Sequence, residues 1–139
     1  MSKKFEQISL KPGFMKHNGG VMFRNISDSE YEFKSSISEN HLNAAGITHG
    51  GFIAAVVDAG AGTAAHRAAD QNPCVTISLE LKFISAVKLN QELFGKVKIQ
   101  KRTKSMIFLT CELTTGNKIA ATASGVWKIL KLSGAGPGG

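Results

Sequence analysis

Residues 43–69, NAAGITHGGFIAAVVDAGAGTAAHRAA, constrain the fold more than any other stretch of the chain. A polar, glycine-marked turn runs into a helix, from about His49 to Ala69, that is apolar on nearly all sides. Phe52, Ile53, Val56 and Val57 are followed by Ala59, Ala61, Ala64 and Ala65. A helix of that kind is a buried one, so the remaining elements have to wrap around it. Gly60 and Gly62 would each cost roughly 1 kcal/mol relative to alanine inside a helix, and close packing or ligand access is the expected compensation. Asn72 and Pro73 supply the expected stop.

The wrapping has to come from strands. Val21, Phe23 and Asn25 alternate with Met22, Arg24 and Ile26, and after SDSE a second run places Tyr31, Phe33 and Ile37 on one face, which predicts a hairpin. SENHLNAAGIT reads as a loop leading to the helix. Four strands are predicted beyond it. Val75, Ile77, Leu79, Leu81 and Phe83 share one face, and Thr76, Ser78, Glu80 and Lys82 the other. Leu93, Gly95, Val97 and Ile99 oppose Phe94, Lys96, Lys98 and Gln100. Ile107, Leu109, Cys111 and Leu113 oppose Phe108, Thr110 and Glu112, and the last strand runs from about Ile119 to Ile129. This order favours an α+β fold, an antiparallel sheet around one helix, and leaves too little helix for a doubly wound fold. A single domain is expected over 20–130, with an N-terminal extension over 1–19 and a flexible tail over 131–139.

At 139 residues, 42% hydrophobic and 19% charged, the chain has the make-up of one globular domain. No apolar run approaches the roughly 20 residues of a membrane-spanning helix, and MSKKFEQISL lacks the apolar core of a secretory signal. The expectations are therefore a cytoplasmic location and no membrane partner. Cys74 and Cys111 lack metal-ligand or C-x-x-C spacing, so they read as buried free thiols, and neither a metal nor a redox site is expected. The formal charge of +7 suits nucleic acid, an anionic membrane or a phosphorylated small molecule. Basic residues do not interleave with aromatics on one strand face, which argues against nucleic acid. They cluster at Lys96, Lys98, Lys101, Arg102 and Lys104, where a strand and its turn can grip a phosphate-bearing ligand.

One carboxylate, Asp58, interrupts the apolar helix, and its neighbours Val56, Val57, Ala59 and Ala61 argue for a sheltered group rather than a solvated one. A helix beginning near His49 leaves the N–H groups of Gly50 and Gly51 unpaired in its first turn, where they can bind an oxyanion or a carbonyl oxygen.

HLNAAGITHGGFIAAVVDAG resembles the signature of hot-dog-fold acyl-CoA thioesterases of the phenylacetyl-CoA thioesterase-like branch, with Asn43, Gly46, His49, Gly50, Gly51 and Asp58 in the family's spacing. More loosely, the resemblance extends over about 20–130, through ISLELKFISAV and KRTKSMIF. It implies a hot-dog fold, with a curved antiparallel sheet wrapped around the helix. It also implies a homodimer joined sheet edge to sheet edge, two dimers forming a homotetramer, and an acyl-CoA substrate that brings its own coenzyme A, with no further cofactor. In such a family His49 is a positioning group and Thr76 helps hold the nucleophilic water. The turn around Lys104 and Ser105, next to Arg102, helps bind the nucleotide of coenzyme A. Thr103 and Ala86 stand where the family often has glycine and proline.

The residues add constraints of their own. Val75 to Ile84 is a long alternating run with few edge-protecting features, so at a sheet edge it invites pairing with another chain. Gly50 and Asp58 are eight residues apart, roughly 12 Å along a helix axis, too far for one small thioester carbonyl to touch both. Two helices set antiparallel about a two-fold axis bring Gly50 of one chain to Asp58 of the other. The expected chemistry is thioester hydrolysis. The Gly50 N–H polarises the carbonyl with Gly51 beside it, Asp58 activates water or attacks directly, and Asn43 orients the water or the substrate. Strict alternation sets Thr76 opposite Val75 and Ile77, so it reaches such a site only across a dimer seam or through a local irregularity. Two alternatives stand beside this reading. A dehydratase of hydroxyacyl thioesters is disfavoured by Asn43 with the His-Gly-Gly spacing, and a non-catalytic acyl-thioester-binding protein would tolerate loss of Asp58. An α/β-hydrolase is disfavoured because no G-x-S-x-G elbow occurs.

Overall fold

A computed structural model describes residues 3–131. The tail expected over 131–139 lies outside the described residues from position 132 onward. Seven strands form one antiparallel sheet: β1 (Glu6–Gln7), β2 (Met22–Asn25), β3 (Glu30–Ser36), β4 (Cys74–Phe83), β5 (Glu92–Arg102), β6 (Met106–Thr115) and β7 (Lys118–Ile129). Their order across the sheet is β1-β2-β3-β5-β6-β7-β4. A short helix α1 (Phe14–His17) follows β1, and the long helix α2 (Gly50–Ala68) lies in the curve of the sheet. This is the antiparallel sheet around one helix that the element order favoured, and the hot-dog architecture that the resemblance implied. None of the described helices is long and apolar enough to cross a membrane.

The inward faces of β3, β5 and β6 follow the predicted alternation, and β7 runs over the span expected of the last strand. Phe33, Leu93, Val97, Ile107, Leu109, Leu113 and Trp127 are buried against Val56, Val57, Ala61 and Ala64 of α2. Gly60 and Gly95 make this packing possible at the two ends of one ring, the Cγ end and the Cζ end. A Cβ on Gly60 would sit 2.4 Å from the Phe33 ring and one on Gly95 2.3 Å from it, so helix and sheet clamp the same phenylalanine. The helix stops earlier than the Asn72-Pro73 signal, because Ala69 caps it and Asp70 and Gln71 turn left-handed, with φ of 56° and 67°.

Two expectations are corrected. Asp58 is exposed rather than sheltered, and with Gly51, Ala54, Ala55, Ala59, Gly62 and Thr63 it lies on a side of α2 that the sheet leaves partly open. Alanine and glycine read as apolar, but one sheet covers only one side of a helix, and these small residues form the other. The second correction concerns β4, whose faces change partway along. Ile77 is an extra residue between the pairs Thr76–Trp127 and Ser78–Val126, a β-bulge. Cys74 and Thr76 therefore share the helix-facing side with Leu79, Leu81 and Phe83, while Val75 and Ile77 point away, 43% and 55% exposed. β4 is also an outermost strand, paired only with β7.

Candidate active site

The loop into α2 is folded by its own polar groups. Asn43 Oδ1 accepts from the N–H groups of Ala45 (2.9 Å) and Ile47 (3.3 Å), which leaves its amide N–H2 as the group it can offer outward. Gly46 takes φ 81°, a left-handed conformation that suits glycine. His41, which has no partner in sequence spacing, anchors the same loop. It is buried, stacks on Phe52 with ring centroids 3.7 Å apart, and its backbone carbonyl accepts from the His49 N–H.

His49 is the N-cap of α2, and its Nδ1 accepts from the Gly51 N–H at 2.8 Å. The expectation of two unpaired N–H groups is therefore corrected to one: Gly51 is capped, whereas the Gly50 N–H has no hydrogen-bond acceptor among the described residues. Gly50, Asn43, Thr48, Ile53, Phe83 and Ser85 line a cavity of about 310 Å³. Asn43 and Gly50 are thus brought together, with His49 holding the turn between them.

Asp58 stands elsewhere. Its Oδ1 accepts from Thr76 Oγ1 at 2.7 Å, a contact that the bulge at Ile77 makes possible. Asp58, Gly62, His66, Cys74, Thr76 and Trp127 line a second cavity of about 460 Å³, which shares no lining residue with the first. His66 Nδ1 faces the Asn72 carbonyl oxygen at 2.7 Å and so carries the proton there. Cys74 is half-buried, and burial pushes its thiol upward while the Arg102 guanidinium draws it back. The i, i+4, i+8 spacing of Asp58, Gly62 and His66 could have flagged His66 from the sequence. Trp127 could not be found that way, because its place depends on the register of β7 with β4.

The basic set divides. Lys96 lies between Glu32 and Glu112 in register, and Lys98 beside Glu30, on the outward face of the sheet. Arg102 Nη1 donates to the Ala68 carbonyl (2.9 Å) and to Asp70 Oδ2 (2.8 Å), so it ties the end of β5 to the end of α2. Lys104 and Ser105 sit exposed in the β5–β6 turn, where the Ser105 carbonyl accepts from the Ile129 N–H.

An unpaired N–H at a helix start, a carboxylate held by a hydroxyl and a long helix in a curved sheet are suited to acyl-transfer chemistry. The family model of the thioesterase superfamily matches residues 45–121, the span that carries Gly50, Asp58 and Thr76. The chain belongs to the thioesterase superfamily. A Pseudomonas aeruginosa protein named as a candidate esterase, PA0474, is 32% identical over 94 residues, covering 67% of this chain and 70% of that protein. Mouse acyl-coenzyme A thioesterase 13 is 27% identical over 112 residues, 78% of this chain and 80% of its own length. The crystal structure of zebrafish thioesterase superfamily member 2 superposes with a TM-score of 0.78 at 21% identity, covering 88% of this chain and 90% of that one, a likeness of fold. The protein is a thioester hydrolase, and the dehydratase and non-catalytic readings give way to that. In this thioesterase the cavity lined by Gly50 and the cavity lined by Asp58 lie at separate places along a single helix.

Proposed function

We propose that the protein hydrolyses an acyl-CoA or aryl-CoA thioester to the free acid and coenzyme A, in sites that each combine two chains. The observation that carries this reading is the separation of the two cavities. Gly50 and Asn43 line one, Asp58 and Thr76 the other, and the intervening helix is roughly 12 Å long. A second copy set antiparallel beside the open side of α2 brings one chain's glycine end to the other's carboxylate. The free edge of β4 supports such pairing, since its unpaired backbone groups and the exposed Val75 and Ile77 are costly to leave in water. Two such dimers can then join as a tetramer.

In the composite site the Gly50 N–H and the helix dipole stabilise the oxyanion that forms when the thioester carbonyl is attacked. Asp58, its Oδ1 held by Thr76, directs Oδ2 at a water and takes its proton as the water attacks; collapse of the tetrahedral intermediate breaks the C–S bond, and the departing coenzyme A thiolate takes up that proton. In the direct route the carboxylate itself attacks, the C–S bond breaks to release the thiolate, and water then opens the resulting anhydride to the free acid and regenerated Asp58. Asn43 offers its amide N–H2 to the water or the substrate, and His49 acts by fixing the helix start. Lys104 and Ser105 contact the nucleotide of coenzyme A, with Arg102 holding their turn against the helix end. Water is the only co-reactant the scheme needs, so no metal or further cofactor enters it. The residues of this scheme all fall within 20–130, and β1 (Glu6–Gln7) extends the same sheet from the N-terminal side.

The test is steady-state hydrolysis of a panel of acyl- and aryl-CoA thioesters, followed by thiol release. The expected outcome is turnover by the wild type and a fall of roughly 100-fold or more in kcat for Asp58→Ala, the scale of removing a positioned base. Undiminished turnover in Asp58→Ala removes the assigned mechanism. Label found in Asp58 after a single turnover in heavy-oxygen water identifies direct attack, because it enters the side chain only when water opens an anhydride at the Asp58 carboxyl carbon.

A further inference from the structure

The cavity that holds Asp58 contains a donor that the mechanism does not use. Trp127 is 1% exposed, yet its indole N–H donates to nothing among the described residues. The one fully enclosed side-chain N or O atom without a partner among those residues is Thr115 Oγ1, so the indole nitrogen retains access to the cavity. The absence of a side chain at Gly62 keeps it open: a Cβ there would lie 3.3 Å from Trp127 Nε1. An N–H held at the cavity wall by a buried ring, with no acceptor among the described residues, can bond only to what occupies the cavity, a water or a ligand oxygen.

We infer that Trp127 is a substrate-binding residue of this thioesterase, whose indole N–H donates to an uncharged oxygen of the substrate about one helical turn from the scissile carbonyl. The inference rests on the catalytic reading of Asp58. Gly62 is one turn from Asp58, roughly 6 Å along the axis, and that spacing fixes where the oxygen must be. Two parts of a thioester substrate can present an oxygen there: the first amide carbonyl of the thiol-side arm, or a hydroxyl or keto group on the acyl chain. The chemistry is the same in both, a neutral acceptor meeting a donor-only group. His66 lines the same cavity one turn further on. With its Nδ1 proton committed to Asn72, its Nε2 is an acceptor in the neutral ring and can serve an adjacent N–H or O–H.

The experiment compares thioester pairs in wild type, Trp127→Phe and Gly62→Ala. Trp127→Phe keeps an aromatic ring but removes the donor, and Gly62→Ala leaves the indole in place but sets a methyl over it. One acyl group is offered as its coenzyme A, N-acetylcysteamine and S-ethyl thioesters, and a second series compares plain with hydroxylated acyl-CoA. The expected result is a loss of roughly 3- to 10-fold in kcat/KM, the worth of one neutral hydrogen bond, confined to substrates that carry the oxygen. If the thiol-side amide is the partner, both variants lose activity toward the coenzyme A and N-acetylcysteamine thioesters and keep it toward the S-ethyl thioester. If the acyl oxygen is the partner, the loss appears only with the hydroxylated acyl group. Equal losses on every substrate, or none on any, overturn the inference while leaving hydrolysis by Asp58 intact. A wild type that hydrolyses none of them overturns the catalytic reading and this inference with it.

Discussion

Thr76 donates to Asp58 Oδ1 across 2.7 Å, and it does so because Ile77 is an extra residue in β4. Without that bulge, strand alternation would put the hydroxyl on the outer face. The bulge turns an edge strand that would otherwise only close the sheet into one that orients the carboxylate.

Thr76→Val removes the donor and keeps the β-branched shape. It is expected to lower kcat roughly 10-fold, the scale of a hydrogen bond to a charged group, with little change in unfolding midpoint because the residue is exposed. Thr76→Ser is expected to restore most of the rate. An equal rate in the valine variant would show that the contact does not orient the carboxylate.

His49→Ala removes the acceptor that caps the Gly51 N–H and is expected to cost about 1 kcal/mol, the usual worth of an N-cap. Denaturant unfolding reads the loss, and His49→Asn, a good capping residue, is expected to recover the stability. The rate should fall far less than in Asp58→Ala. Losses as deep as those of Asp58→Ala, unrelieved by asparagine, would make His49 a catalyst and not a positioning group.

Gly60→Ala drives a methyl group into the Cγ end of the Phe33 ring, whose Cζ end is packed closely on Gly95. A destabilisation of about 1–3 kcal/mol is expected from overpacking, despite alanine's better helix propensity. A lower denaturant midpoint at unchanged m is the signature; a raised midpoint would mean that the ring can move aside.

Burial holds the Cys111 thiol up to about 12 from an ordinary 9.0, with Glu112 adding to the effect. Above pH 9.0 the unfolded chain loses this proton and the folded chain keeps it. Its contribution to stability is therefore complete below that pH and is lost as the pH rises toward about 12, by up to about 1.36 kcal/mol per pH unit. Cys111→Ala is expected to lower stability at neutral pH and to flatten the alkaline fall; stability curves that stay parallel would contradict this.

Most of the architecture was legible because it rests on periodicity. The alternation of Leu93 to Ile99 and of Ile107 to Leu113, and the apolar run of α2, fix which faces meet, and the Phe33 clamp explains Gly60. What stayed hidden depends on single residues out of pattern or on distant register. The bulge at Ile77 carries no glycine or proline to announce it, so the face of Thr76 could be posed only as a conflict. The exposure of Asp58 was misread because small residues count as apolar even where nothing covers them. Trp127 reaches the Asp58 cavity only through its pairing with Thr76, which no local pattern encodes.

The central claim is that each site takes its glycine end from one chain and its carboxylate from another. Mixing Asp58→Ala with Asn43→Ala chains tests it directly, because a hybrid dimer gathers both lesions in one site and leaves the other whole. With subunit exchange confirmed and equal amounts mixed, half the dimers are hybrids with one good site of two, so recovery of roughly a quarter of wild-type activity is expected from two-fold symmetry. Activity no higher than the mean of the two parents, despite proven exchange, would contradict a shared site.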